Sequence, residues 1–276
     1  MNVIPLIEHL GVEIRDFTVA DLDTPDGLRV LRDAFDSGLV LIRDQRLSAE
    51  EHDRLVAALG DLHRFPSGNT YEFMSNVVHE PHNVAGVRRL LFHNDGSYGA
   101  HVAPGTCLYA MEVSSTSPPT AFANTVRAYE NLPADVRRTL DGLHCFNTFN
   151  LTAALRDEEP SRYRMADHPE PREDIQLKTA VHPAVITVPH TGQQAIFVSE
   201  FNASHFVELG PDSREGEELL QLVFATLYDE ANVYTHKYAT GDVVIWNNLS
   251  TQHARVARID TAPRTFRRLV LSSLSW

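Results

Sequence analysis

Positive charge is scarce in this sequence: 24 lysines and arginines stand against 37 aspartates and glutamates, a formal net charge of -13. Phosphate backbones are bound through a basic footprint, so nucleic acid is not an expected partner, whereas a small anionic molecule is not excluded. Cysteine is nearly absent. Cys107 and Cys145 cannot build a disulfide framework, and two small buried thiols in a reducing cytoplasm are expected. Long apolar runs are missing too, and the opening MNVIPLIEHLGVEIRD carries acidic residues and no basic leader. Neither a membrane span nor a signal peptide is therefore expected. What is present, 276 residues at 43% hydrophobic and 22% charged, can bury a full core as one domain over residues 1–276.

Local signals place the elements. Val12 to Arg15 reads as a strand, and Thr24 caps a helix with Pro25 at its first position and Leu28, Leu31 and Phe35 at helical spacing. Gly38 stops that helix, Leu39 to Ile42 reads as a buried strand, and Ser48 with Glu51 opens a second helix that ends at Gly60. Strands around Thr106 to Val113, a helix from Thr125 to Leu132 interrupted by Pro133, and strands over 182–198 follow. Asp212 and Glu215 form a second capping-box pattern before the apolar face Leu219, Leu220, Val223, Phe224 and Leu227. Two polar stretches, 64–86 and 156–173, lack periodicity, and such long irregular segments are often lids; Tyr71, Phe73 and Asn76 in the first are candidate substrate contacts. Many short strands with a few outer helices fit a mostly β fold with flanking helices, a double-stranded β-helix of the jelly-roll, cupin-like type.

Chemistry concentrates at Gly241 to Leu271. Val243 to Trp246 is an apolar strand, a polar turn leads to His253, and a basic loop precedes a second strand on which Arg264, Phe266, Arg268 and Val270 share one face. At about 3.3 Å per residue the two arginines stand roughly 13 Å apart, suited to two anionic groups along one pocket. Alone, this stretch is equally served by a loop histidine and by arginines covering a sheet; for Arg255, Arg258 and Arg267, pairing with surface acids is expected. Upstream, the apolar run Leu90 to Phe92 delivers His93 and Asp95 onto one face of a strand end. Completed by a distant histidine, they form the two-histidine, one-carboxylate set that suits Fe(II) and leaves coordination positions open. His79-Glu80-Pro81-His82 and His168-Pro169-Glu170 have the wrong spacing or context for a metal motif.

These motifs occur in the order and spacing of a known family. Gly38 to Gln45, the helix ending Leu59-Gly60-Asp61-Leu62-His63, His93-X-Asp95, Thr120, His182-Pro183 with Ala195 to Val198, and Gly241-Asp242 through His253 to Arg264 and Arg268 resemble the taurine dioxygenase/2,4-D dioxygenase (TauD/TfdA) group of Fe(II)- and 2-oxoglutarate-dependent oxygenases over nearly the whole chain. The resemblance implies His93, Asp95 and His253 as iron ligands, Thr120 and Arg264 as contacts of 2-oxoglutarate, and Arg268 as the partner of a substrate anion. It implies a double-stranded β-helix that consumes O2 and 2-oxoglutarate, releases succinate and CO2, and hydroxylates a C–H bond of a small, anionic metabolite. Desaturation, oxidative rearrangement, or a non-catalytic cupin-like anion binder are the alternative expectations. Halogenation is disfavoured because Asp95 is present, and taurine is not expected, since Phe92 stands where tryptophan is common and the 64–86 segment differs. Phe201 is a further pocket candidate, and a homo-oligomer is plausible by resemblance.

Overall fold

Thr24 and Pro25 do locally what their chemistry allows. The Thr24 hydroxyl accepts from the Gly27 amide at 3.0 Å, and Pro25, whose missing N–H costs nothing in a first turn, begins the helix. The structure, a computed structural model, describes residues 1–77, 88–150, 176–259 and 261–276. Its elements begin with strands β1 (Asn2–Ile7) and β2 (Leu10–Arg15), helix α1 (Pro25–Asp36), strand β3 (Leu39–Ile42) and helix α2 (Ala49–Ala57). Strands β4 (Tyr71–Ser75), β5 (Leu90–His93), β6 (Gly105–Val113) and β7 (Thr120–Asn124) follow. Next come α3 (Thr125–Asn131), α4 (Ala134–Leu140), β8 (His144–Asn150), β9 (Leu177–Pro183), β10 (Val185–Thr187), β11 (Gln194–Ile196) and β12 (Ala203–Phe206). Helix α5 (Arg214–Leu227) precedes β13 (Val233–His236), β14 (Val243–Asn247), β15 (Thr251–Arg255) and β16 (Arg264–Leu271).

The result is mostly β with flanking helices. A seven-stranded sheet runs β1-β2-β3-β14-β6-β16-β4, and a four-stranded sheet runs β13-β7-β15-β5. Leu39, Leu41, Leu108, Ala110, Val244, Trp246 and Phe266 of the large sheet pack with Phe122 of β7 between the two. On the outer face of the large sheet, Val40, Ile42, Val243, Ile245 and Leu269 pack beneath Leu31 and Phe35 of α1 and Leu55 and Val56 of α2. Strand β14 is covered on both faces, so Val-Val-Ile-Trp is a continuous apolar run rather than an alternating one. A third cluster seats α5 through Leu220, Val223, Phe224 and Leu227 on Cys145, Ile196, Ala203 and Phe206. Both cysteines are free and buried. Gly38 turns the chain from α1 into β3 at φ 99, where an added Cβ would stand 2.9 Å from the Thr251 hydroxyl.

Three expectations need correction. Residues 71–75 are a strand, β4, paired with β16; its apolar alternation is short, and its stability comes from the edge it completes. The rest of the first suggested lid from 78 onward, and all of 156–173, lie outside the described residues, as do His79, His82 and His168. Helix α5 is capped by Ser213, whose hydroxyl accepts from the Gly216 amide at 3.1 Å, so the Asp212 and Glu215 box does not form. Nor does Arg267 sit at the surface: it and Arg255 are both buried. The Arg255 Nε donates to the Arg88 carbonyl, and Arg267 donates to the Leu47 and Ser48 carbonyls and to His52 Nδ1, tying the start of α2 to the sheet.

His52 carries a measurable consequence. It is fully buried between Arg267 and Cys107, and burial, then the Arg267 charge, holds its imidazole well below the ordinary value of 6.5. The unfolded chain takes up a proton at this residue as pH falls through 6.5, while the folded chain does not; the stabilisation is therefore complete above that pH and lost below it. In metal-free protein this one residue contributes about 1.4 kcal/mol of lost stability per pH unit below its unfolded value. Urea unfolding of His52→Gln between pH 7.5 and 5.5 should show a correspondingly shallower loss, and an unchanged slope would contradict this assignment.

Candidate active site

Strand β15 lies between β7 and β5, and its register places His253 directly opposite His93. Asp95 follows β5 by two residues, so all three side chains turn toward the space between the sheets. Their candidate ligand atoms lie within 4.8 Å of one another. Asp95 Oδ1 stands 3.7 Å from His93 Nε2 and 3.8 Å from His253 Nε2, and the two rings are 4.2 Å apart. His93 Nδ1 is 2.8 Å from the Leu91 carbonyl, which fixes the ring and leaves Nε2 facing inward. Burial, then the neighbouring His93, pushes His253 down to about 3. Burial also lowers His93. Both imidazoles are thus neutral and able to donate a lone pair. Burial alone would raise the Asp95 carboxyl, but the Arg268 charge beside it outweighs this, and the group is held well below the usual carboxylate range. Two neutral imidazoles and one carboxylate are a donor set that fits Fe(II) with open positions.

The second carboxylate oxygen faces the large sheet. Asp95 Oδ2 accepts from the Thr106 hydroxyl on β6 and from Arg268 Nη2 on β16, both at 2.9 Å. The backbone of Asp95 is clasped by Asn248: its amide donates to Asn248 Oδ1 at 2.8 Å, and Asn248 Nδ2 donates back to the Asp95 carbonyl at 3.0 Å and to the Ala103 carbonyl at 2.8 Å. Asn248 is fully buried, so no water replaces these bonds. Asn248→Ala is expected to cost about 2–3 kcal/mol of stability from the orphaned groups and about 10- to 100-fold in metal affinity by loosening Asp95. Denaturation together with an Fe(II) titration checks both, and unchanged affinity would show that Asp95 is positioned without it.

Arg264 opens β16 on the same face as Phe266, over whose ring its guanidinium carbon sits at 4.3 Å. Among the described residues no carboxylate pairs with it, and its Nε is buried without a hydrogen-bond partner. Burial lowers its pKa to about 10, a sign of a cation held out of water. Tyr238 lies alongside. Burial raises its hydroxyl, opposed by the nearby Thr120 hydroxyl and the Arg264 charge. Thr120, Tyr238 and Arg264 thus form one buried polar cluster in a place apt for an incoming carboxylate.

The structure sorts the other expected contacts. Asn76 accepts from the Arg264 amide at 2.9 Å through Oδ1 and donates to the Ala262 carbonyl at 2.8 Å through Nδ2, so it anchors the start of β16. The Phe201 ring lies 5.4 Å from His93. Tyr71 and Phe73 are not brought to the triad. They pair across from Leu269 and Arg267, on the outer, helix-covered face, and Tyr71 packs against the helical cluster. Between them Glu72 faces inward and accepts from Arg268 Nη1 at 3.2 Å. Arg268, expected to hold a substrate anion, therefore already bridges two carboxylates. Phe92 stacks on Tyr228 at 4.3 Å. Glu72, Thr106 and Tyr238 went unnoticed in the sequence; for Glu72 the missed signal was the strand parity itself.

A cavity of about 290 Å³ opens beside this centre, lined by Asp95, Arg268, His63, Phe65 and Tyr98 among others. Tyr98 stacks on Phe149 at 4.6 Å, and Phe149 lies 5.9 Å from Phe201, extending an aromatic lining toward His93. No helix among the described residues is long and apolar enough to cross a membrane.

Comparison with known proteins agrees with this geometry. The profile of the taurine catabolism dioxygenase TauD, TfdA family matches residues 2–270. Pentalenolactone F synthase of Streptomyces arenae is 30% identical over 221 residues, covering 75% of this chain and 70% of that protein. An alpha-ketoglutarate-dependent sulfate ester dioxygenase of Pseudomonas putida is 23% identical over 278 residues, covering 99% and 89%. The crystal structure of AAD-2 in complex with Mn(II) and N-oxalylglycine shares the fold at a TM-score of 0.78 and 22% identity, over 99% of each chain. The chain belongs to the TauD, TfdA family, and with it to the 2-oxoglutarate-dependent non-haem iron dioxygenases, whose cofactor set is Fe(II), 2-oxoglutarate and O2.

Proposed function

We propose that this enzyme oxidises an unactivated C–H bond of a small molecule, inserting hydroxyl and releasing succinate and CO2. It does so in a single domain over residues 1–276 built as a double-stranded β-helix, with His93, Asp95 and His253 as the iron ligands. The observation that carries the reading is the pairing of two neutral imidazoles and one carboxylate with a buried Arg264 that no carboxylate among the described residues engages. When bound, Fe(II) with 2-oxoglutarate supplies the oxygen activation, a chemistry that belongs to the cofactors.

The chain's own residues do the rest. His93 and His253 would hold the iron through Nε2 and Asp95 through Oδ1, while Thr106 and Arg268 hold Oδ2 and fix the carboxylate plane. Arg264 offers a planar fork for the far carboxylate of 2-oxoglutarate, and Thr120 adds a hydroxyl at its side. Phe201 and the aromatic wall exclude water and orient the carbon to be attacked. The test is aerobic incubation with Fe(II) and 2-oxoglutarate: succinate should accumulate even without the proper substrate, and should vanish under nitrogen or with a chelator. Succinate no higher than in a protein-free control would refute the proposal.

A further inference from the structure

We propose that Glu72 sets the substrate class: by neutralising Arg268 it fits the pocket to an uncharged substrate group carrying a carbonyl, ester or hydroxyl acceptor, in place of a carboxylate or sulfonate. This rests on the proposed function, and it revises the expectation that Arg268 pairs with a substrate anion. The geometry is direct. Arg268 Nη1 is bonded to Glu72 Oε2 at 3.2 Å and Nη2 to Asp95 Oδ2 at 2.9 Å, with all three side chains largely out of water. The register pairs Glu72 with Arg268 across β4 and β16, so the contact is fixed by the sheet rather than by a loop.

Charge balance gives the consequence. In the loaded site, two positive charges on the metal and one on Arg264 offset Asp95 and the two carboxylates of 2-oxoglutarate. Arg268 remains, and Glu72 cancels it. Without Glu72 the Arg268 guanidinium would be left free to draw in a monoanion; with Glu72 that guanidinium is balanced before substrate arrives. An entering anion would meet Glu72 at the same guanidinium, in a partly buried space where like charges repel more strongly than in water. A neutral acceptor meets no such opposition, because a guanidinium has five N–H donors and the two carboxylates occupy one each in this geometry. The remaining polar groups on the cavity wall, His63, Tyr98, His101 and Ser272, offer hydrogen bonds rather than permanent charge, beside apolar Phe65 and Val270.

The test compares phenoxyacetate with phenoxyacetamide, of nearly equal shape, by calorimetry on wild-type enzyme loaded under nitrogen with Fe(II) and 2-oxoglutarate. Glu72→Gln removes the charge with little change of volume, and should raise phenoxyacetate affinity at least tenfold over wild type while leaving phenoxyacetamide within a few fold. The double variant Glu72→Gln with Arg268→Gln should lose that gain, which a merely structural role for Glu72 would not produce. Should Glu72→Gln fold poorly, Glu72→Ala is read in the same way. Unchanged phenoxyacetate affinity in the folded variant, or wild-type enzyme that already binds phenoxyacetate more tightly than the amide through Arg268, would overturn the proposal. Failure of the underlying reading is separate: it shows as no 2-oxoglutarate binding to the Fe(II)-loaded protein and no succinate release in any variant, before the two phenoxy probes are compared.

Discussion

Replacing Asp95 with alanine is expected to lower 2-oxoglutarate turnover by more than about a hundredfold, because loss of an outer-sphere partner alone typically costs 10- to 100-fold and Asp95 is in direct reach of the metal. Asp95 is the one anionic member of the set, and its Oδ1 is the point at which the two imidazole nitrogens converge. The fold should survive the change. Arg268 keeps Glu72 as a partner, so no buried charge is left alone, and Asn248 clasps the backbone of residue 95 whatever its side chain. Circular dichroism and succinate release, measured on the same preparation, separate the two effects. Near-wild-type turnover in Asp95→Ala would remove the triad assignment.

The second large effect has opposite signs in two measurements. Arg264 is a buried guanidinium with an unpartnered Nε and no carboxylate partner among the described residues. In the metal-free protein such a cation costs desolvation that the contact with the Phe266 ring repays only in part, so Arg264→Met, of similar length and compatible with that ring, is expected to raise stability by roughly 1 kcal/mol. The same change should weaken 2-oxoglutarate by about 3 kcal/mol, more than a hundredfold, because a bidentate charge-assisted contact is lost. Thermal unfolding and a 2-oxoglutarate titration provide the two readings. A destabilised variant with normal 2-oxoglutarate affinity would make Arg264 a packing residue.

Much of this was legible in the sequence, and the reasons are local. Thr24 with Pro25 and Ser48 with Glu51 specify helix starts through bonds within four residues, and both formed as read. The triad was legible because His93-X-Asp95 follows an apolar strand, and His253 follows another by a short turn. Arg264 and Arg268 were placed on one face by parity, which the register preserves: Phe266 packs into the core between the sheets and Leu269 beneath the helices.

What stayed hidden depended on pairing between distant segments. β4 is a five-residue strand among Pro, Ser, Gly and Asn, and only its partnership with β16 makes it a strand. The sheet turns the aromatics Tyr71 and Phe73 outward and Glu72 inward. Ser213 displaced Asp212 as a cap because the hydroxyl one residue later meets the Gly216 amide. Arg267, read as a surface charge, is buried because α2 brings carbonyls and His52 to it from more than two hundred residues away.

The central claim is that this chain binds Fe(II) through His93, Asp95 and His253 and seats 2-oxoglutarate against it on Arg264. An anaerobic titration of the metal-free protein with Fe(II) and then 2-oxoglutarate tests it most directly, read at the weak visible metal-to-ligand charge-transfer band of the chelate. The band should saturate at one equivalent of each, be absent in Asp95→Ala, and require more than a hundredfold higher 2-oxoglutarate in Arg264→Met. Fe(II) binding without the band in the wild-type protein, or an identical band in Asp95→Ala, would contradict it.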